Sequence, residues 1–114
     1  MAVTRDVTLD AVRDLLVRPP RASVTFVDGD GVALVPARAR FVGDRPLVGL
    51  PGGGPDLAGR EVILLIDDGP WWFQLRGVSF RGVAERESEA DGVVWWAVAP
   101  RRVLSWDYAS IREA

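Results

Sequence analysis

From Pro19-Pro20 to Trp106 the apolar residues follow strand spacing and not helical spacing. Short runs rich in Val, Ile, Leu and Trp alternate with Asp-Gly, Gly-Asp and Gly-Pro pairs. That punctuation constrains the chain more than any other feature, because it leaves room for strands and turns but not for a helical core. Ala22 to Val27 reads as a first strand. Asp28-Gly29-Asp30-Gly31 follows as a hairpin turn, since Asp-Gly supplies positive φ. Val32 to Val42 is its partner, and Gly43-Asp44 turns the chain into Leu47 to Leu50. Pro51 to Pro55 is a loop around three glycines, and Asp56 to Gly59 is a candidate helical turn.

Val62 to Ile66 is apolar at every position, the pattern of a strand covered on both faces. Trp71 to Arg86 exceeds an ordinary strand, so Gly77 and Gly82 are expected to bulge or bend it. Glu87 to Gly92 reads as a polar loop, with Val93 to Val98 and Val103 to Trp106 as the last two strands. Ahead of all this, Thr8 to Val17 reads as one helix, with Thr8 as cap and Leu9, Val12, Leu15 and Leu16 as its apolar stripe. Pro19-Pro20 ends it. The expected fold class is mostly β: a six- to seven-stranded barrel with an N-terminal helix, in a single domain over 1–114.

The sequence contains neither Cys nor His. Disulfides, structural zinc, thiol nucleophiles and imidazole bases are therefore all excluded, and no metal site is expected. Any redox chemistry must come from a bound organic group. The formal net charge is −2, and all 14 basic residues are Arg, spread along the chain. That distribution argues against a nucleic-acid partner. No apolar window is long enough for a membrane span and no leader pattern is seen, so the expected compartment is the cytoplasm.

Three features could carry binding chemistry. Arg38 and Arg40 lie two apart and so share one face of a strand, with Ala37, Ala39 and Phe41 on the other. Two adjacent guanidinium groups suit a phosphate; the alternative is two solvated or ion-paired arginines. Gly52-Gly53-Gly54 can present backbone N–H groups to an anion, with Arg60 as a helper, or can be a plain turn. Trp71-Trp72, Trp95-Trp96 and Trp106 concentrate aromatic surface. One residue of each adjacent pair must face outward, toward a partner subunit or a planar ligand. Asp67-Asp68 before Gly69-Pro70 is a turn and not a cation site.

The order of segments resembles the pyridoxamine 5′-phosphate oxidase-like family of FMN-binding split barrels, particularly its short actinobacterial members. The resemblance runs over residues 8–112. It rests on Val35-Pro36-Ala37-Arg38, the buried Val62 to Ile66 strand, Leu75-Arg76-Gly77-Val78-Ser79-Phe80-Arg81-Gly82-Val83-Ala84, and the closing Pro100-Arg101-Arg102-Val103-Leu104-Ser105-Trp106-Asp107-Tyr108. It implies a homodimer with FMN or a deazaflavin at the subunit boundary, and oxidoreductase activity on a small-molecule substrate. By position, Pro36, Ala37, Arg38 and Arg40 would line the ring and phosphate region. Leu50, Gly52, Gly53 and Gly54 would form the phosphate loop, and Trp106 would approach from the second subunit. No catalytic proton donor is assigned. The loop departs from the family pattern: it carries no Ser, Thr or Lys, and Arg60 is the nearest cation. A degenerate, non-catalytic split barrel, binding another small planar ligand or a protein partner, is therefore the alternative.

Overall fold

A computed structural model describes residues 13–17, 19, 21–52, 54–68 and 76–107. Six strands follow a short helix: α1 (Asp14–Val17), β1 (Ala22–Asp28), β2 (Gly31–Val42), β3 (Arg45–Pro51), β4 (Glu61–Asp68), β5 (Arg76–Ala90) and β6 (Val93–Asp107). They close into a barrel in the order β1-β2-β3-β6-β5-β4, each strand antiparallel to both neighbours. Closure leaves no strand unpaired along its whole side; the open edges that remain include the Gly31 to Ala37 half of β2 and the Glu85 to Ala90 arm of β5.

Alternation decides what the barrel holds. Val24 and Phe26 on β1, Val48 and Leu50 on β3, and Val62, Leu64 and Ile66 on β4 point inward. So do Val78, Phe80 and Ala84 on β5 and Val94, Trp96 and Val98 on β6. Ala33, Val35, Ala37, Ala39 and Phe41 of β2 pack against this cluster, and Phe41 meets Phe80 with ring centroids 5.4 Å apart. Both rims are stoppered. Leu57, from the loop after β3, is fully buried at one, and Leu15 of α1 is buried at the other.

Several sequence expectations are corrected here. Glu87 to Gly92 is not a loop: β5 runs to Ala90, and the turn is only Asp91-Gly92, both at positive φ (55° and 77°). Glu85 to Ala90 is exposed throughout, so no apolar alternation marks this stretch as strand. The last two strands are one, β6, carried past Pro100 by a register shift in which Arg101 is the extra residue. The count is therefore six. Gly82 is at that shift, as expected, but the ladder passes Gly77 without one. Gly77 instead makes room for Trp106, because a Cβ there would stand 2.3 Å from the indole. The helix is described only over Asp14–Val17, and Thr8, Leu9, Val12 and Trp71-Trp72 lie outside the described residues.

The helix is pinned by charge as well as by Leu15. The Arg76 guanidinium donates to both carboxylate oxygens of Asp14 (3.1 and 2.9 Å) and to Asp68 Oδ2 (2.8 Å). The Arg76 hydrogen bond is the main reason that Asp14 titrates below the usual carboxylate range. A depressed folded pKa contributes stability above the unfolded value, and that contribution is lost as pH falls through the folded one. Arg76→Gln is expected to lower stability by about 1–2 kcal/mol at neutral pH, because Asp68 is left half-buried without its cation while Asp14 is mostly solvated. The variant should also lose less stability than the parent when acidified below pH ~4. Urea unfolding at a series of pH values checks both; parallel pH profiles would contradict the linkage.

Candidate functional site

The outer wall over β2, β3 and β6 gathers the groups best suited to binding. Exposure alternates along β2, which sends Pro36, Arg38 and Arg40 outward and Ala37, Ala39 and Phe41 toward the core. Arg38 stands opposite Gly49 on β3, and Gly49 opposite Trp95 on β6, so these three share one row. Arg40, Leu47 and Ala97 form the next row.

Gly49 is the reason the rows communicate. A Cβ there would lie 2.8 Å from Trp95 Cζ3, so only glycine lets the indole lie flat across β3. The ring then reaches β2, where the Arg40 guanidinium stacks over it at 4.4 Å from the ring centroid. Such a contact is worth roughly 0.5–1 kcal/mol when exposed, and it holds the cation in place without neutralising it. Leu47 is buried on this outer face although it is no part of the barrel core. Among the described residues, neither Arg38 nor Arg40 forms a salt bridge, whereas most other arginines here do. The result is a flat aromatic ledge flanked by two cations, able to hold a planar anion but offering no acid or base of its own.

The other candidate residues fall elsewhere. Leu50 points into the core at 2% exposure, and Ala37 also turns inward, so each can offer an outer ligand only its backbone. The Gly52 N–H donates to the Gly92 carbonyl at 2.9 Å and is already used. Gly53 lies outside the described residues. Gly54 adopts φ 51° over Leu50, where a Cβ would meet that side chain at 2.6 Å. Asp56 does not face a ligand but accepts from the Ala58 N–H at 3.0 Å. Arg60 donates to the Val27 carbonyl at 3.1 Å and stacks near Phe26, which ties it to the rim beside β1. Trp106 lies against Gly77, eleven residues along β6 from Trp95, and so is not part of the ledge within one chain.

Trp95 is the outward aromatic of the ledge, a residue the sequence offers only as one of an adjacent pair. Strand parity predicts that one of Trp95 and Trp96 faces outward, and Trp96 is indeed the buried one. Only the cross-strand register shows that the outward ring meets a glycine and then Arg40. Among the described residues no group of three or more acidic, His or Cys side chains could hold a metal ion, and no helix is long and apolar enough to cross a membrane.

No protein-family model matches the sequence, and no curated protein matches it. Solved structures do. A conserved hypothetical protein of Mycobacterium tuberculosis superposes with a TM-score of 0.70 at 17% identity, over 98% of this chain and 91% of that one. An FAD-binding protein of Mycobacterium smegmatis gives 0.68 at 19% identity, over 89% and 97%. A candidate pyridoxamine 5′-phosphate oxidase of Corynebacterium glutamicum gives 0.67 at 11% identity, over 90% and 95%. The resemblance drawn from the order of sequence segments thus holds at the level of architecture. This chain has the split-barrel fold shared by pyridoxamine 5′-phosphate oxidase-like and flavin-binding proteins.

Proposed function

We propose that this chain binds a flavin, FMN or a deazaflavin, on the ledge formed by β2, β3 and β6, and acts as a dimeric oxidoreductase on a small molecule. The observation that carries the reading is the Arg38–Arg40 pair, free of carboxylate partners among the described residues and set beside a flat indole. Arg38 and Arg40 would hold the phosphate, as guanidinium forks match its oxygens. Trp95 would give the ring system an apolar wall. When bound, the flavin supplies the hydride chemistry, which is why a chain lacking His and Cys can belong to this class. The FAD-binding description of a structure with the same fold is in keeping with this.

A second copy completes the site in this proposal. The two-sided Val62 to Ile66 strand is not where the bare apolar surface lies, since Ile63 and Leu65 are half-buried. Val27, Val32 and Leu34 are 65%, 72% and 63% exposed instead, on the hairpin that continues into Pro36 and Arg38. Exposed patches of this kind mark interfaces. Docked there, the partner would cover the ledge and bring a second set of aromatic residues, Trp106 among them, toward it.

Sedimentation of the purified protein with FMN, followed by visible absorbance, tests binding and assembly in one run. The expected result is flavin absorbance travelling with a species of twice the chain mass. A monomer boundary that leaves the colour behind would overturn the reading. The occupied Gly52 N–H and the Asp56 carboxylate, exposed in the same loop and bonded to the Ala58 N–H, favour a second reading, a non-catalytic split barrel for another planar ligand or a protein partner. In that case the tryptophan fluorescence would ignore FMN and respond to the other ligand, and Trp95→Phe would remove that response.

A further inference from the structure

We infer that the hollow on the outer face of β5 and β6, beside the β2–β3 turn, is a separate site for a small organic cation, an apolar body carrying one ammonium group. The hollow has a volume of about 390 Å³, and Asp44, Arg45, Val83, Glu85, Ala97 and Ala99 are among the residues that line it. The ladder fixes how four of these stand together. Glu85 pairs with Ala97 and Val83 pairs with Ala99, and cross-strand partners share a face. Between them Ala84 and Val98, also paired, are fully buried in the core. Val83, Glu85, Ala97 and Ala99 therefore all stand outward, as one patch.

Two bulges shape the patch into a hollow. β5 and β6 slip register at Gly82 and Pro100, where Arg101 is the extra residue, and again between Arg86 and Ser88, where Glu87 is. A bulge bends its strand and re-aims the extra side chain. Here each extra side chain carries a charge that is answered elsewhere: Arg101 donates to Glu61, and Glu87 accepts from Arg45 of β3 at 2.7 Å. Since β6 lies between β3 and β5, the Arg45–Glu87 pair spans it and walls the hollow. The pair also offsets Arg45, the one cation among the described lining residues. Glu85 and Asp44 form no ion pair among the described residues. The hollow is left with an apolar floor of Val83, Ala97, Ala99 and Pro100 and an excess of negative charge. Apolar walls with a few placed charges are the usual makeup of small-molecule sites. An ammonium on an apolar body answers both parts: the body covers the floor, and the Glu85 carboxylate faces the cation.

This site stands apart from the flavin proposal, because Arg38, Arg40 and Trp95 of the ledge do not line it. The test follows amide shifts of the full chain in two-dimensional NMR, without FMN. The cationic probe is 2-naphthylmethylamine, and the neutral near-isostere is 2-naphthylmethanol. Saturable shifts are expected at residues 83–85 and 97–99. The alcohol should bind about two- to fivefold more weakly, the factor that one solvent-exposed ion pair supplies. Raising the ionic strength to about 1 M should erase that difference. Glu85→Gln should erase it too, while Glu89→Gln, which alters a carboxylate on the same arm already paired with Arg86, leaves it unchanged. Ala99→Phe should fill the hollow and abolish the shifts with either probe. Glu85→Gln exchanges one exposed polar group for another, so it reads the site even if Ala99→Phe does not fold. Equal binding of alcohol and amine, equal effects of Glu85→Gln and Glu89→Gln, or shifts centred on Trp95 would each overturn the inference. None of these results depends on whether FMN binds.

Discussion

Gly82→Val is expected to destabilise the fold by about 3–4 kcal/mol and to lower Tm by at least ~10 °C. Gly82 stands opposite Pro100 where β5 and β6 slip register, and the strands there approach so closely that a Cβ would lie 1.9 Å from the Ala99 carbonyl oxygen and 2.7 Å from its carbon. Both are backbone atoms of a laddered strand, so no rotamer change relieves the clash. β6 itself must move, and with it the bend that lets one strand serve both the barrel wall and the projecting hairpin. The same bend sets Arg101 and Arg81 on the two oxygens of Glu61, a cluster that would be lost too. Against a typical total of roughly 5–15 kcal/mol, this is a large fraction.

Other glycines face softer obstacles. Gly77→Ala meets only the Trp106 ring, a side chain that can tilt, so its cost should be smaller, about 1–2 kcal/mol. Gly43→Ala meets nothing within 4 Å but must adopt φ 62°, for about 1 kcal/mol. Chemical denaturation of the three variants should rank them in that order. A Gly82 variant no less stable than the Gly43 variant would show that the strands do not close at this point.

The physics that made parts of this fold readable is local. Asp28 to Gly31, Gly43-Asp44 and the proline pair at 19–20 announce themselves because turns and breaks are properties of adjacent residues. Arg38 and Arg40 could be placed on one face because parity is local as well. The hairpin arm from Glu85 to Gly92 escaped notice because it extends where both faces meet water, and a strand with no buried face has no alternation to read. Asp91-Gly92 was the one available signal, the same dipeptide that marked the first hairpin. Trp95 and Arg60 are a different case. Their roles depend on what the fold brings beside them, Gly49 and Arg40 for one and the Val27 carbonyl for the other, and register across strands is not written in any single segment.

Replacing Arg38 and Arg40 together by Ala is expected to weaken FMN binding about 100-fold or more, the largest functional effect the ledge predicts. Each guanidinium would contribute at least one charge-assisted hydrogen bond to the phosphate, at roughly 1.5–3 kcal/mol, and solvent exposure favours the lower end of that range. At 1.4 kcal/mol per decade, two such contacts amount to two decades or more. Riboflavin, which lacks the phosphate, locates the loss. It should bind the parent protein about as weakly as FMN binds the double variant, and the double variant should affect riboflavin little, which isolates the pairwise coupling of phosphate and guanidinium. Arg60→Ala supplies the opposite arm. Its side chain is committed to the Val27 carbonyl, so the variant should lose some stability but keep FMN affinity within about twofold. If FMN affinity followed Arg60 and ignored Arg38 and Arg40, the phosphate would belong to the glycine loop at the rim, and the indole ledge would have to be holding something else.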